Sequence, residues 1–191
     1  PPKPGRLKVV GFALVLSVIC SLMITLAAGG LKQRQLANQA LDKKINLLKA
    51  AGLMPEKRPP SEKINRIYDD HIQEIRVDAQ GKILPPSDPA ALTLYLVQAP
   101  DGNGGGTILP ITTKGLWGKI EGYLAFEADG QTVAGFSIFS HSETPGLGGE
   151  IESAWFARNF VGKKIINSEN RLVSVGIAKG KASALPDNLQ D

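Results

Sequence analysis

Residues 140–156, SHSETPGLGGEIESAWF, gather more usable chemistry than any other stretch of this 191-residue chain. Glu143 supplies an acceptor and Thr144 a donor. Pro145 fixes one turn, and Gly146, Gly148 and Gly149 remove β-carbons at three of four positions. Such a loop exposes backbone N–H groups and lets a flat group approach closely, with Leu147 as an apolar cap. The combination suits a planar heteroaromatic ring with hydrogen-bonding edges. The same residues would also serve as a tight strand-to-helix connection without a ligand. Nothing in the stretch reads as a general base or nucleophile, so no catalytic residue is expected.

Other motifs do not hold. Gly102 and Gly104 begin a dinucleotide pattern, but its last glycine falls on Thr107. Gly176, Gly180 and Lys181 approach a phosphate loop one residue short, and Ala182 stands where magnesium would need a hydroxyl. One cysteine excludes an internal disulfide framework, and two histidines, His71 and His141, leave little for a metal centre. No metal site is expected.

The loop has to be positioned by a globular domain. Apolar residues make up 42%, with 21 glycines and 13 prolines, which excludes a disordered tail, a collagen repeat and a coiled-coil rod. The net charge of +4 is concentrated at the start: Lys3, Arg6 and Lys8 are basic, and residues 1–30 hold no acid. The remainder is nearly neutral and has no basic cluster interleaved with aromatics, so a nucleic-acid partner is not expected.

Residues 9–31 carry no charge. As a helix they would span roughly 34 Å, enough for a hydrocarbon core of about 30 Å. A buried core helix would rarely be this long and apolar all round. A cleaved signal peptide fits the basic start and Ala27-Ala-Gly-Gly30, but its apolar core is usually shorter. The reading adopted is a retained single-pass anchor. Basic residues flank both ends, and those at 3, 6 and 8 favour a cytoplasmic N-terminus. Ala13, Ser17, Ser21 and Thr25 form one stripe of this helix. The stripe suits docking against other membrane subunits, or its hydroxyls bond to their own i−4 carbonyls.

An amphipathic helix continues from the anchor through Leu36, Leu41, Ile45 and Leu48 and ends near Gly52 and Pro55. Residues 55–62 read as a linker, and a short helix follows from Ser61 to about Asp70 and His71. Strands are expected at 75–78, 92–98, 107–111, 119–128 and 131–139, with Asp129-Gly130 as a hairpin turn. Ser153 would cap a helix reaching about Val161, and 172–178 reads as a late strand. The fold class is α+β: one N-terminal transmembrane helix, then a mostly antiparallel sheet with flanking helices. The expected divisions are 1–8, a basic segment; 9–31, the anchor; 32–62, helix and linker; and 63–191, the sheet domain.

Glu143-Thr-Pro-Gly-Leu-Gly-Gly-Glu150, Gly115-Leu-Trp-Gly118 and Gly122 resemble the C subunit of the Na+-translocating NADH:quinone reductases (Nqr). The related G subunit of the Rnf complexes shares these features, and His141 is similar to that relative. The resemblance extends to the anchor, Ala40-Leu-Asp-Lys-Lys-Ile-Asn46 and the stretch from Trp155 to Gly162-Lys-Lys164. It implies an FMN-binding domain outside the cytoplasmic membrane of a bacterial cell, on the periplasmic side. It also implies one FMN held by a threonine phosphoester and relaying single electrons, and partners among the membrane subunits of the complex. Carried over residue by residue, it places Glu143, Thr144, Leu147, Gly148 and Gly149 at the flavin, with Trp117 as a pocket wall. The family's attachment motif, Asp-x-x-Ser/Thr-Gly-Ala-Thr, has no counterpart, because no serine or threonine here precedes a glycine. The expectation is a fragment whose attachment threonine lies further on. The alternatives are an Rnf-type electron-transport subunit, a flavin-free membrane-anchored assembly subunit, and an extracytoplasmic binding domain with a noncovalent ligand.

Overall fold

The computed structural model describes residues 5–85, 87–89, 91–99, 105–167, 169 and 171–173. Its first element, α1 (Arg6–Ala50), is one unbroken helix of 45 residues. The N-terminal unit, Pro1–Ala40, contains the apolar stretch, which is long and apolar enough to cross a membrane and has no buried residue. Thr25 Oγ1 donates to the Ser21 carbonyl at 2.8 Å, so at this position the stripe's hydroxyl is spent on its own helix.

The second unit runs from Leu41 and holds the last ten residues of α1. The sequence dictates where α1 stops. Gly52 has φ +69, the left-handed conformation that glycine adopts without a steric cost. Its N–H bonds to the Lys49 carbonyl, and the Leu53 N–H reaches back to Leu48 at 2.9 Å. This paired closure satisfies carbonyls that a helix end leaves open, and it brings Leu53 back beside Leu48 in the core. The helix α2 (Ser61–His71) follows the linker, as expected from its sequence.

Five strands form one antiparallel sheet in the order β1-β2-β3-β4-β5, a simple meander. They are β1 (Ile72–Val77), β2 (Leu92–Gln98), β3 (Gly105–Lys114), β4 (Lys119–Phe126) and β5 (Val133–Ser140). Ile45, Leu47, Leu48 and Ala50 of α1, with Ile64 of α2, bury against Ile72, Tyr95, Ile108, Tyr123 and Ala125 on one face. Full burial of Leu47, Leu48 and Ile108 each contributes roughly 1.5–3 kcal/mol of transfer free energy. The helix sits so close that a β-carbon at Gly135 would run into the Ala50 carbonyl oxygen. Beside it Ser137 Oγ donates to Asn46 Oδ1 at 2.9 Å, while Asn46 Nδ2 donates to the Asp42 carbonyl, so Asn46 joins helix to sheet. Burial works against the charge on Lys43, but Tyr95 and then Glu74, 3.3 Å away, outweigh it and raise its pKa.

Phe136 follows Gly135 and therefore projects to the opposite face. There it stacks on Phe160 with centroids 4.8 Å apart and leans on Phe156 at 6.1 Å. Phe156 belongs to α3 (Ala154–Arg158), whose first turn is capped by Ser153 as expected. This helix stops before the expected Val161. Asn159 Nδ2 donates to the carbonyls of both Trp155 and Phe156, and Gly162 turns the chain at φ +79.

Strand ends also differ from expectation. β1 begins at Ile72 rather than 75, because pairing with β2 runs from Ile72↔Val97 to Val77↔Leu92. β3 is longer at both ends than 107–111. It is extended by pairing of Gly105 and Gly106 with Gln98 and Val97, and of Lys114 with Lys119. β4 and β5 stop short of Asp129-Gly130, leaving a six-residue connection at 127–132. Asp129 closes this turn: Oδ1 accepts from the N–H groups of Gln131 and Thr132, and Oδ2 from Thr132 Oγ1, while Glu127 N–H still bonds across to the Thr132 carbonyl at 2.9 Å. Of the late strand, Leu172 pairs with Ile166, while residues 174–178 lie outside the described residues.

Candidate functional site

An antiparallel meander sorts its connections between two ends of the sheet. The β3–β4 turn at 115–118 and the exit of β5 at Ser140 fall at the same end, because Lys114 pairs with Lys119 and Glu121 with Ser140. Two segments far apart in sequence thus meet: Gly115-Leu-Trp-Gly118 and the loop 141–152. The loop ends in a short 3-10 helix, Gly148–Glu152.

Glu143 joins them. Its Oε1 accepts the Trp117 backbone N–H at 3.1 Å. The turn itself is closed by Gly115 N–H to the Gly118 carbonyl at 2.7 Å. Both glycines leave space that side chains of the neighbouring loop occupy. A β-carbon on Gly115 would run into the Glu143 carboxylate, and one on Gly118 would lie 2.9 Å from Ser142 Oγ. On the other side of Glu143, a β-carbon on Gly148 would come 3.1 Å from both its Cβ and its Oε2. One on Gly149 would lie 3.2 Å from the Thr144 carbonyl oxygen and 3.4 Å from His141 Cε1. Gly146 has φ +73 and open space around it, so its conformation rather than crowding calls for glycine.

The loop also uses backbone donors on itself. The N–H groups of Leu147 and Gly149 both donate to the Thr144 carbonyl, at 3.1 and 3.0 Å, and Glu150 donates to Leu147. The expectation of a loop with its N–H groups free is corrected at these three positions. Tight loops satisfy their own donors where water or a partner does not.

Large apolar side chains stand exposed on this frame. Leu116 is 81% exposed, Trp117 69% and Leu147 73%. Leu116 and Trp117 belong to the turn whose backbone Glu143 accepts from, and Leu147 precedes Gly148, which lies close to the Glu143 side chain. Thr144 is exposed between them in sequence. Of the residues expected at the site, Glu143 is tied to Trp117 and to Gly148, and Thr144 to Leu147 and Gly149; all six therefore belong to one constellation. Exposed apolar side chains on both of the joined segments suit the face of a flat aromatic group. Glu143 Oε1 is already engaged by protein, a role the sequence alone did not reveal.

Sequence reasoning missed the structural role of His141. Its side chain is 10% exposed, its Nδ1 accepts the Glu143 N–H at 3.0 Å, and its Nε2 lies 2.5 Å from Glu152 Oε1. That last contact is off the line of a hydrogen bond, so Nε2 faces a carboxylate without a well-aligned acceptor. The available signal was the placement of a histidine two residues ahead of Glu143, just where a strand ends.

Residues 115–187 match the FMN-binding domain family, a match that starts at the first glycine of the Gly115–Gly118 turn and includes the whole loop. Over nearly the full chain, similarity runs to the C subunit of Na(+)-translocating NADH-quinone reductase. The Yersinia pestis protein is 31% identical, with 90% of this chain and 75% of the relative covered. The Haemophilus ducreyi protein is 33% identical, covering 94% and 78%. Among solved structures, the C subunit from Parabacteroides distasonis superposes with a TM-score of 0.71 at 25% identity, covering 84% of this chain and 81% of that one. NqrC of Shewanella oneidensis shares the fold, with a TM-score of 0.59 at 20% identity, over 74% of this chain and 79% of that one. A sheet end built from a Gly-Leu-Trp-Gly turn and a Glu-Thr-Pro-Gly-Leu-Gly loop, with this extent of identity, places the chain in the family of Na(+)-translocating NADH-quinone reductase C subunits.

Proposed function

We propose that the chain is the electron-carrier subunit of a membrane-bound, Na+-translocating NADH:quinone oxidoreductase, and that it carries one FMN. The observation that supports this most directly is the Glu143 tie. It holds the exposed side chains of Leu116, Trp117 and Leu147 at one end of the sheet, within the stretch matched by the FMN-binding family. FMN, when bound, would supply one-electron redox chemistry. The protein's contribution is placement. Leu116, Trp117 and Leu147 exclude water from the ring, and Thr144 offers a hydroxyl to its edge. Gly148 and Gly149 keep the loop flat against Glu143 and His141. No proton transfer or nucleophilic attack by a side chain is needed for a relay.

In this reading a threonine phosphoester fixes the cofactor. α1 anchors the chain in a bacterial inner membrane among the other subunits of the complex, and the sheet domain lies on the periplasmic side. The test is visible absorbance of the natural full-length protein before and after denaturation. Flavin absorbance that stays with acid-precipitated protein supports the linked carrier. Colour lost on unfolding points to noncovalent binding, and a colourless protein sinks the carrier reading in favour of an assembly subunit. Activity of a reporter fused after residue 191, of a type active only outside the cytoplasm, tests the orientation.

A further inference from the structure

We propose that His141 is a positioning residue for the Glu143–Gly149 loop, acting through its Nδ1 acceptor. The imidazole sits at the exit of β5, under the loop rather than in it. Nδ1 accepts the Glu143 N–H at 3.0 Å. A neutral imidazole that accepts at Nδ1 carries its proton on Nε2. Nε2 then lies beside Glu152 Oε1, 2.5 Å away but off the line of a hydrogen bond. Cε1 is among the atoms that leave little room for a β-carbon on Gly149. One ring therefore meets two parts of the constellation, the Glu143 backbone and the carboxylate at the end of the 3-10 helix, and Cε1 borders the space beside Gly149.

The Glu143 backbone is the point that matters. Its side chain reaches Trp117, so whatever fixes the backbone at 143 also fixes the bond to the opposite turn. With nine-tenths of the His141 side chain buried, water does not readily take over the acceptor role if the ring is lost. An unmet N–H at Glu143 would loosen the tie between the two segments. The consequence for the cofactor rests on the proposed FMN reading of the loop, but the positioning role itself does not.

The full-length protein, measured with and without FMN, carries the test. In the wild type, imidazole ¹⁵N shifts should show Nδ1 unprotonated and Nε2 protonated. His141→Leu, nearly the same size without the acceptor, should speed hydrogen exchange of the Glu143 amide about tenfold, while the core amide of Ile108 is unchanged. His141→Asn places an oxygen near the position of Nδ1 and should restore most of the protection. In the FMN-loaded protein the midpoint potential should move in the leucine variant and return in the asparagine variant. A proton found on Nδ1, unchanged exchange at Glu143, or no rescue by asparagine each overturns the proposal. Should the leucine variant fail to fold, the wild-type tautomer and the asparagine variant still decide. Faster exchange at Glu143 with unaltered FMN content and potential upholds the positioning role and refutes the flavin-contact reading of the loop.

Discussion

The Glu143 carboxylate and the Trp117 backbone N–H, 3.1 Å apart, hold together two loops that enter and leave different strands. The bond is a charged acceptor meeting a turn donor, the stronger class of hydrogen bond. Glu143→Ala should cost about 1 kcal/mol, at the low end for such bonds because the site is partly open to water. Glu143→Gln keeps an acceptor and should cost less. Chemical denaturation of the full-length protein reads the stability. FMN per polypeptide should fall in the same order, and equal FMN content in both variants would show that the tie does not serve the cofactor.

Gly148 and Gly146 should respond to substitution for different reasons. Gly148→Val would force a branched side chain against Glu143, whose Cβ and Oε2 are already 3.1 Å from the position of the new β-carbon. Gly146→Ala meets nothing, but its φ of +73 should cost about 1–2 kcal/mol in backbone strain. The valine variant should lose FMN, while the alanine variant should keep it at reduced stability. Denaturation midpoints and flavin content separate the two effects.

Gly135→Ala tests how tightly α1 meets the sheet. Its β-carbon would run into the Ala50 carbonyl, a backbone atom that cannot turn aside. Overpacking of this kind typically costs about 1–3 kcal/mol. Ser137→Ala, two residues further along β5, removes the hydroxyl that bonds Asn46 and should cost about 1 kcal/mol. If Gly135→Ala were the milder of the two in urea denaturation, the close approach would be wrong.

Acid should weaken the β4–β5 turn through Asp129. The Thr132 hydroxyl, then the N–H groups of Gln131 and Thr132, hold its pKa down to about 2 from the ordinary 3.8. A carboxylate depressed on folding contributes stability above its unfolded pKa, and loses it as pH falls through the folded value. The loss therefore lies between about pH 4 and pH 2. Thermal unfolding across this range should show a smaller acid dependence in Asp129→Asn, which retains an oxygen for the turn but has no proton to gain.

Alkali should reach Tyr123 late. Burial, followed by the neighbouring Tyr95, raises its pKa to about 12 from 10. A group raised on folding gives stability that is complete below its unfolded pKa and lost as pH climbs through the folded one, here between about pH 10 and 12. Ultraviolet titration of wild type against Tyr123→Phe should remove one late-titrating phenol, and retention of that phase would place it elsewhere.

The features written within a few residues of one another were legible before any fold was known. An uncharged run at 9–31 gives a membrane-length helix because backbone bonds are met within the helix and nothing in the run interrupts it. Gly52 stops α1 because only its neighbours and its own φ are involved. Asp129-Gly130 marked a turn, and Ser153 a helix start, by the same local logic. The loop at 143–150 and the turn at 115–118 were each visible as glycine patterns, and their resemblance to one family pointed to the site. What the tertiary structure decided was every relation across the sheet: where β1 and β3 end, why Gly135 has to lack a side chain, which partner occupies Glu143, and that His141 lies buried behind the loop. These follow from strand register and helix approach. They depend on atoms brought together from distant positions, and local spacing carries no record of which carbonyl or carboxylate will be waiting there.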